Sequence, residues 1–316
     1  MINFEDFKQL YQKVEVQHYP NSTPEKIVIS VLVQTYNHEQ FLQQCLDSIL
    51  TQKTNFNFEI ILGEDNSSDN TREICKKYAN QYPEKIRLFL HHDENKIKVN
   101  SINTGNFNAF YNLFSARGKY IAFCEGDDYW TDDLKLQKQV DFLEKNLSFT
   151  LCYHSYQTIN KYNQVISSIE SLKQPKINIS SYELTNTVHH PLLLTMCFRN
   201  RLKKVPKEAL EVVNVDAFII SLLGQLGKAG YMENIKASFY RKHSKGIWSK
   251  KLRVKNLEVK AITYQKLSTY YNRINKPELG DNFSFKASKV QKRILWIYLK
   301  NLNISQLVKS IFTYST

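Results

Sequence analysis

Residues 118–133, GKYIAFCEGDDYWTDD, decide the reading of this chain. A Gly118-Lys119 turn feeds the apolar run Tyr120–Cys124, which has the length and residue types of a buried strand. The run stops at Glu125-Gly126-Asp127-Asp128, three carboxylates in four positions. Charges that close resist ionising together unless a cation compensates them. A divalent metal supplies that cation, and hard oxygen ligands favour Mg²⁺ or Mn²⁺ completed by water and phosphate oxygens. An acidic helix N-terminus, the competing reading, accounts for Asp132 or Asp133 but poorly for Glu125.

Working outward, the same order of apolar run, polar loop and helical pattern recurs. Ile27–Val33 ends in Gln34-Thr35-Tyr36-Asn37, after which Phe41, Leu42, Cys45, Ile49 and Leu50 share a helical face. Phe58–Leu62 ends in Gly63-Glu64-Asp65-Asn66, and Ser68 or Asp69 can cap a helix running through Tyr78. Ile86–His91 reads as a third strand, Phe107–Ala116 and Leu134–Leu147 as helices, and Thr150–Tyr156 and Leu192–Phe198 as further strands. Strands alternating with helices predict an α/β fold, a mostly parallel Rossmann-like sheet covered on both faces. Ligands of such sheets bind beyond the carboxyl ends of the strands, where all three polar loops should gather.

The formal charge of +13 is concentrated: from Arg241 onward there are 17 Lys/Arg against 3 Asp/Glu. A basic tail behind a near-neutral domain points to docking on an anionic surface such as a membrane rather than to nucleic acid. The tail reads as helical near Leu257–Tyr271 and Val290–Phe312. In the second segment Ile294, Ile297, Tyr298, Leu302, Leu307 and Ile311 alternate with basic residues, as in an interfacial helix. The alternative is a helix packed on its own domain. No run of eighteen apolar residues and no signal-peptide pattern occurs, so a cytoplasmic location is expected, with peripheral contact at the inner face of the membrane. Cys45, Cys75, Cys124, Cys152 and Cys197 are widely spaced, as reduced core thiols would be.

Three stretches, VLVQTYNHEQFLQQCLDSIL, EIILGEDNSSDNT and GKYIAFCEGDDYWTDDLKLQKQVDFLE, resemble in order and spacing family 2 of the inverting glycosyltransferases, with their GT-A fold. A weaker resemblance continues through VVNVDAFIISLLGQLGKAGYMENIKASFYRKHSKGIWS. The resemblance implies transfer of a sugar from a nucleotide-diphosphate sugar to a hydroxyl of a glycan or lipid-linked acceptor, assisted by Mn²⁺ or Mg²⁺. It places Thr35, Tyr36, Asn37, Glu64 and Asp65 around the nucleotide, and Glu125-Gly126-Asp127 at the D-x-D position. Asp127 is then the principal metal ligand, with Glu125 on ribose or metal and Asp128 supporting. Glu stands for the commoner Asp at positions 64 and 125.

Asp216 falls where the family carries its general base, at the start of an apolar helix; a helix N-cap is the competing role. Arg241 and His243 belong to an R-x-H-x-x-G stretch that could close on diphosphate and metal, with Trp248 packing as an anchor. A solvated basic loop is the alternative there. Tyr129, Trp130, His91-His92 and His189-His190 read as packing or loop residues. The expected division is a helical extension over 1–25, a GT-A domain over 26–250 (donor side 26–130, acceptor side 131–250) and a basic helical region over 251–316. A nucleotidyltransferase of similar fold lacks its Gly-rich phosphate loop here, since residues 31–40 contain no glycine. A non-catalytic nucleic-acid binder leaves the convergent carboxylates unexplained.

Overall fold

The structure is a computed structural model and describes residues 1–168, 172–243 and 253–300. In chain order the strands are β1 (Gln17–His18), β2 (Ile29–Thr35), β3 (Phe58–Glu64), β4 (Ile86–Leu90), β5 (Lys98–Val99), β6 (Ile102–Asn103), β7 (Tyr120–Phe123), β8 (Phe149–Tyr153), β9 (Tyr156–Ile159), β10 (Cys197–Arg199), β11 (Lys228–Tyr231) and β12 (Ser238–Arg241). The helices are α1 (Phe4–Tyr11), α2 (Leu42–Leu50), α3 (Thr71–Gln81), α4 (Asn106–Ser115), α5 (Lys135–Lys145), α6 (Ser181–Thr185), α7 (Val215–Gly224), α8 (Arg253–Arg273) and α9 (Pro277–Lys300).

The chain divides into two units, one of residues 1–205 and 219–242, the other of 206–218 and the chain from His243 onward. Helix α1 lies within the first unit. Asn3 and Asp6 cap α1 reciprocally, and its Phe7 packs on Phe107 with ring centroids 5.2 Å apart.

The first unit is built on an eight-stranded sheet in the order β1-β4-β3-β2-β7-β10-β8-β11. Strands β4, β3, β2 and β7 run parallel, while β10 is antiparallel to both its neighbours. The parallel strands are buried on both faces, which explains their near-continuous apolar sequences. On one face Val31, Val33, Ile60 and Leu62 join Leu42, Cys45, Leu46 and Ile49 of α2 and Cys75 of α3 in a single core. On the other, Asn108 of α4 donates its amide to the Gly63 carbonyl at 2.8 Å, fixing that helix against β3. All five cysteines are buried free thiols.

Two segments differ from their sequence expectation. Leu192–Phe198 is not one strand: Leu193–Thr195 is a 3₁₀ turn and only Cys197–Arg199 pairs in the sheet. Thr150–Tyr156 is two strands in different sheets, β8 and β9, because β9 leaves to pair with β12. Apolar runs report burial, which these segments share, and not which neighbour takes the backbone hydrogen bonds.

The second unit contains the hairpin of α8 and α9. Tyr271 stacks on Phe283, with centroids 5.6 Å apart and ring planes within 3°. Helix α9 begins thirteen residues before Val290, and its Ile294 is buried, so that residue of the expected interfacial face packs inward. Leu302, Leu307 and Ile311 lie outside the described residues, as do Trp248 and the segment from Ser244 to Gly246. No described helix is long and apolar enough to cross a membrane.

Candidate active site

Because β3, β2 and β7 are adjacent and parallel, their carboxyl ends open on one edge, and the backbone carries the pairing into the polar loops. Thr35 faces Glu64 across the ladder. Beyond it, the Asp65 N–H donates to the Thr35 carbonyl at 3.0 Å and the Gly126 N–H to the Gln34 carbonyl at 2.9 Å. A Cβ on Gly126 would lie 2.7 Å from Thr35 Oγ1 and 2.8 Å from His38 Nδ1. Only glycine lets the acidic loop come this close to the β2 loop.

The loops are also tied to one another by side chains. Asn37, in the left-handed region at φ 55°, accepts the Ser68 N–H at 2.8 Å and donates its own N–H to Ser67 Oγ at 3.0 Å. The fully buried Glu64 accepts the Ser67 N–H at 2.6 Å and pairs with Arg72, whose Nη2 reaches the His91 carbonyl at 2.9 Å. Asn37 and Glu64, expected beside the nucleotide, thus also hold the loops together.

Tyr36 is 46% exposed, with the Lys96 ammonium 4.0 Å from its ring centre. Asp65 and Thr35 are buried, and one Asp65 carboxyl oxygen and the Thr35 hydroxyl lack a hydrogen-bond partner among the described residues. Such atoms are costly unless a ligand or water meets them. Burial pushes the Asp65 carboxyl up to about 7, with Lys96 pulling the other way. Lys96 is itself held by Asp93 at 2.6 Å. The sequence reading missed Lys96, which lies in a short polar turn with no apolar period to mark it.

On the other side of the edge, His38 Nε2 lies 3.9 Å from Asp127 Oδ2, and both side chains are mostly buried. Two metal–ligand bonds of about 2.1 Å can span that gap, so a carboxylate oxygen and an imidazole nitrogen are placed to share a cation. His38 was also missed, although it directly follows Asn37 in the loop already singled out. Glu125 is partly exposed and its backbone carbonyl accepts from the Cys45 thiol at 3.3 Å.

Asp128 and Arg241 are bonded to one another. Asp128 is buried, and burial followed by the neighbouring Asp127 charge raises its carboxyl well above the usual range. One of its oxygens accepts the Arg241 N–H at 2.8 Å. The Arg241 guanidinium donates to the Asp127 carbonyl at 2.8 Å, Asn163 Oδ1 at 2.7 Å, the Asn160 carbonyl at 3.2 Å and Gln44 Oε1 at 2.8 Å. Its plane lies over Phe41 and Tyr129, 4.7 and 5.6 Å from the ring centres. This arginine braces the acidic loop through its backbone N–H and its guanidinium.

The remaining expectations are local. Tyr129 packs on Phe239 and Trp130 is buried with its indole N–H on the Leu194 carbonyl, at 3.1 Å. His91 is buried against Phe107 and Tyr111, and burial lowers its pKa to about 3. His189 lies 3.7 Å from Glu183. Asp216 stands in the first turn of α7, one residue inside the helix start at Val215 rather than at the cap.

Comparison with known proteins places this edge in context. Residues 30–205 match the family model described as glycosyl transferase family 2. A putative glycosyltransferase, EpsE, of Bacillus subtilis is 39% identical over 126 residues, covering 40% of this chain and 41% of that protein. An uncharacterized glycosyltransferase of Rickettsia felis is 32% identical over 190 residues, 54% of this chain and 29% of that protein. An uncharacterized Mycobacterium tuberculosis protein is 40% identical over 131 residues, 42% of this chain, and the match spans only 36% of its length. Among solved structures, S. aureus TarS 1-349 in complex with UDP-GlcNAc aligns with a TM-score of 0.57 at 18% identity, covering 81% of this chain and 71% of that one. A mannosyltransferase from Pyrobaculum calidifontis in complex with GDP-Man and Mn²⁺ aligns with a TM-score of 0.54 at 13% identity, covering 96% and 89%. At these identities the structural likeness speaks to the GT-A fold alone.

Proposed function

Since the chain belongs to glycosyl transferase family 2, we propose that it transfers a sugar, with inversion, from a nucleoside-diphosphate sugar to a hydroxyl of a glycan or lipid-linked acceptor. The observation that carries this reading is the partnerless, buried Asp65 oxygen on the same strand edge as the Asp127–His38 pair. One end asks for a hydrogen-bonding ring such as a nucleobase, the other for a cation and the phosphates it would neutralise.

In this account Tyr36 stacks on the base, Asp65 and Thr35 hydrogen-bond to it, and Lys96 holds the Tyr36 ring from its other face. Glu125 and Gly126 lie along the ribose and diphosphate. Asn37 and Glu64 act through the loop shapes they maintain, and Arg241 and Asp128 act by fixing the position of Asp127. A divalent cation on Asp127 and His38 would stabilise the charge that builds on the departing diphosphate. The mixed oxygen and nitrogen donors suit Mn²⁺ better than Mg²⁺. His243 and Glu125 are proposed as further ligands from their places in the sequence.

Asp216 is proposed as the general base. It takes the acceptor hydroxyl proton as that oxygen bonds to the anomeric carbon, while the bond from that carbon to the diphosphate breaks on the opposite face and the nucleoside diphosphate leaves. Donor recognition is assigned to residues 26–130 and acceptor recognition to 131–250. The catalytic unit is proposed to work in the cytoplasm, at the inner face of the membrane, where a lipid-linked acceptor is presented. Assay of a panel of nucleotide sugars with Mn²⁺, reading released nucleoside diphosphate and the anomeric configuration of the product, tests the reading. Retained configuration, or no release with any donor and acceptor, would overturn it.

A further inference from the structure

Helix α9 has two unlike faces. Gly280, Phe283, Ala287 and Ile294 are buried and recur at helical spacing, which orients one side of the helix inward. At 100° per residue, Phe285, Lys289, Lys292, Trp296, Leu299 and Lys300 fall within about 100° of arc on the opposite side. All six are exposed, Phe285, Trp296 and Leu299 at 69%, 60% and 58%. Between Ser284 and Lys300 there are five basic side chains and no acidic one.

We propose that this stripe docks on an anionic lipid surface, with Phe285, Trp296 and Leu299 entering the boundary between headgroups and acyl chains. The lysines would remain among the phosphates, their apolar stems covering the rest of the face. Phe285 and Trp296 are eleven residues apart, about 16 Å along the helix axis. Rings so far apart with lysines between them do not form the contiguous apolar patch a protein partner buries, but they can meet a flat interface together. Tryptophan at such a boundary and lysine beside it are the combination that anionic bilayers hold best. The surface differs from the one the tail sequence suggests, since Ile294 faces inward and the outward stripe is read two or three residues out of phase with it. The inference does not depend on the chemistry of the nucleotide site.

The test is sedimentation of the full chain with vesicles of phosphatidylcholine alone and of phosphatidylcholine mixed with phosphatidylglycerol. The protein should partition onto the mixed vesicles only, and less so as salt is added. Lys289→Glu with Lys292→Glu, and separately Phe285→Ser with Trp296→Ser, should each lower partitioning by about tenfold or more. Far-UV dichroism, thermal midpoint and nucleotide binding should stay unchanged. Equal binding to both vesicle types, no binding to either, variants that bind like the parent, or binding to single-stranded nucleic acid but not to vesicles would each overturn the proposal. Loss of sugar transfer alongside intact vesicle binding would count against the enzymatic reading alone.

Discussion

Arg241 donates its backbone N–H to the Asp128 carboxylate at 2.8 Å and its Nε–H to the carbonyl of Asp127 at 2.8 Å, so a single residue at the end of β12 holds the acidic loop at two points. The side chain is buried and reaches three further acceptors. Arg241→Lys keeps the charge but cannot reproduce the fork, and Arg241→Gln loses both. We expect each to destabilise the chain by about 2–4 kcal/mol in denaturant unfolding, because several buried acceptors lose their donor. If Asp127 placement is the function of this brace, turnover should fall in Arg241→Lys while acceptor KM stays near the parent value.

Gly126→Ala tests the close approach of the two loops. Its new methyl group would meet Thr35 and His38 at under 3 Å. The cost should be about 1–3 kcal/mol in stability. Nucleotide affinity should fall by more than that of a control such as Gly105→Ala, whose Cβ would meet nothing within 4 Å.

Much of this edge was legible beforehand. The acidic loop after β7 and the polar loops after β2 and β3 were marked by apolar runs breaking into carboxylates and amides, and parallel pairing necessarily brings them together. Which polar residue serves the ligand and which serves the loop was not legible. Glu64 and Asp65 are neighbouring carboxyls, yet one pairs with Arg72, eight residues on, while one oxygen of the other has no hydrogen-bond partner among the described residues. That Asn160, Asn163 and Gln44 converge on Arg241 was not legible either, because a sequence does not show contacts between segments so far apart. Lys96 and His38 were missed because a lone lysine or histidine in a turn carries no periodic signal.

Asp65 predicts a pH dependence. Its carboxyl is raised from an ordinary value of 3.8 to about 7 by burial. The folded chain therefore holds a proton that the unfolded chain has released between those values. Stability from this group is complete below about pH 4 and is lost as pH rises through 7. Asp65→Asn should remove that decline, so the variant should gain thermal midpoint relative to the parent at pH 8 and gain nothing at pH 4. Calorimetric scans across that range check it; parallel pH profiles for the two proteins would contradict the assignment.

Asp216→Asn separates base from scaffold. The amide is nearly isosteric in the first turn of α7, so folding and nucleotide-sugar affinity should be retained. Transfer should drop by about 10²-fold or more, the ordinary contribution of a positioned base. Thermal shift for binding and product release for transfer give the two readouts; unchanged transfer would remove Asp216 from the mechanism.

Asp127 is the residue through which a metal is proposed to bring the diphosphate to this edge. Isothermal titration of UDP and GDP into the full chain, with Mn²⁺ and then with chelator, compares the parent with Asp127→Ala. Binding of one nucleotide that requires Mn²⁺ in the parent and is absent from Asp127→Ala is the predicted result. Binding of equal strength in chelator, or in Asp127→Ala with Mn²⁺, would contradict it.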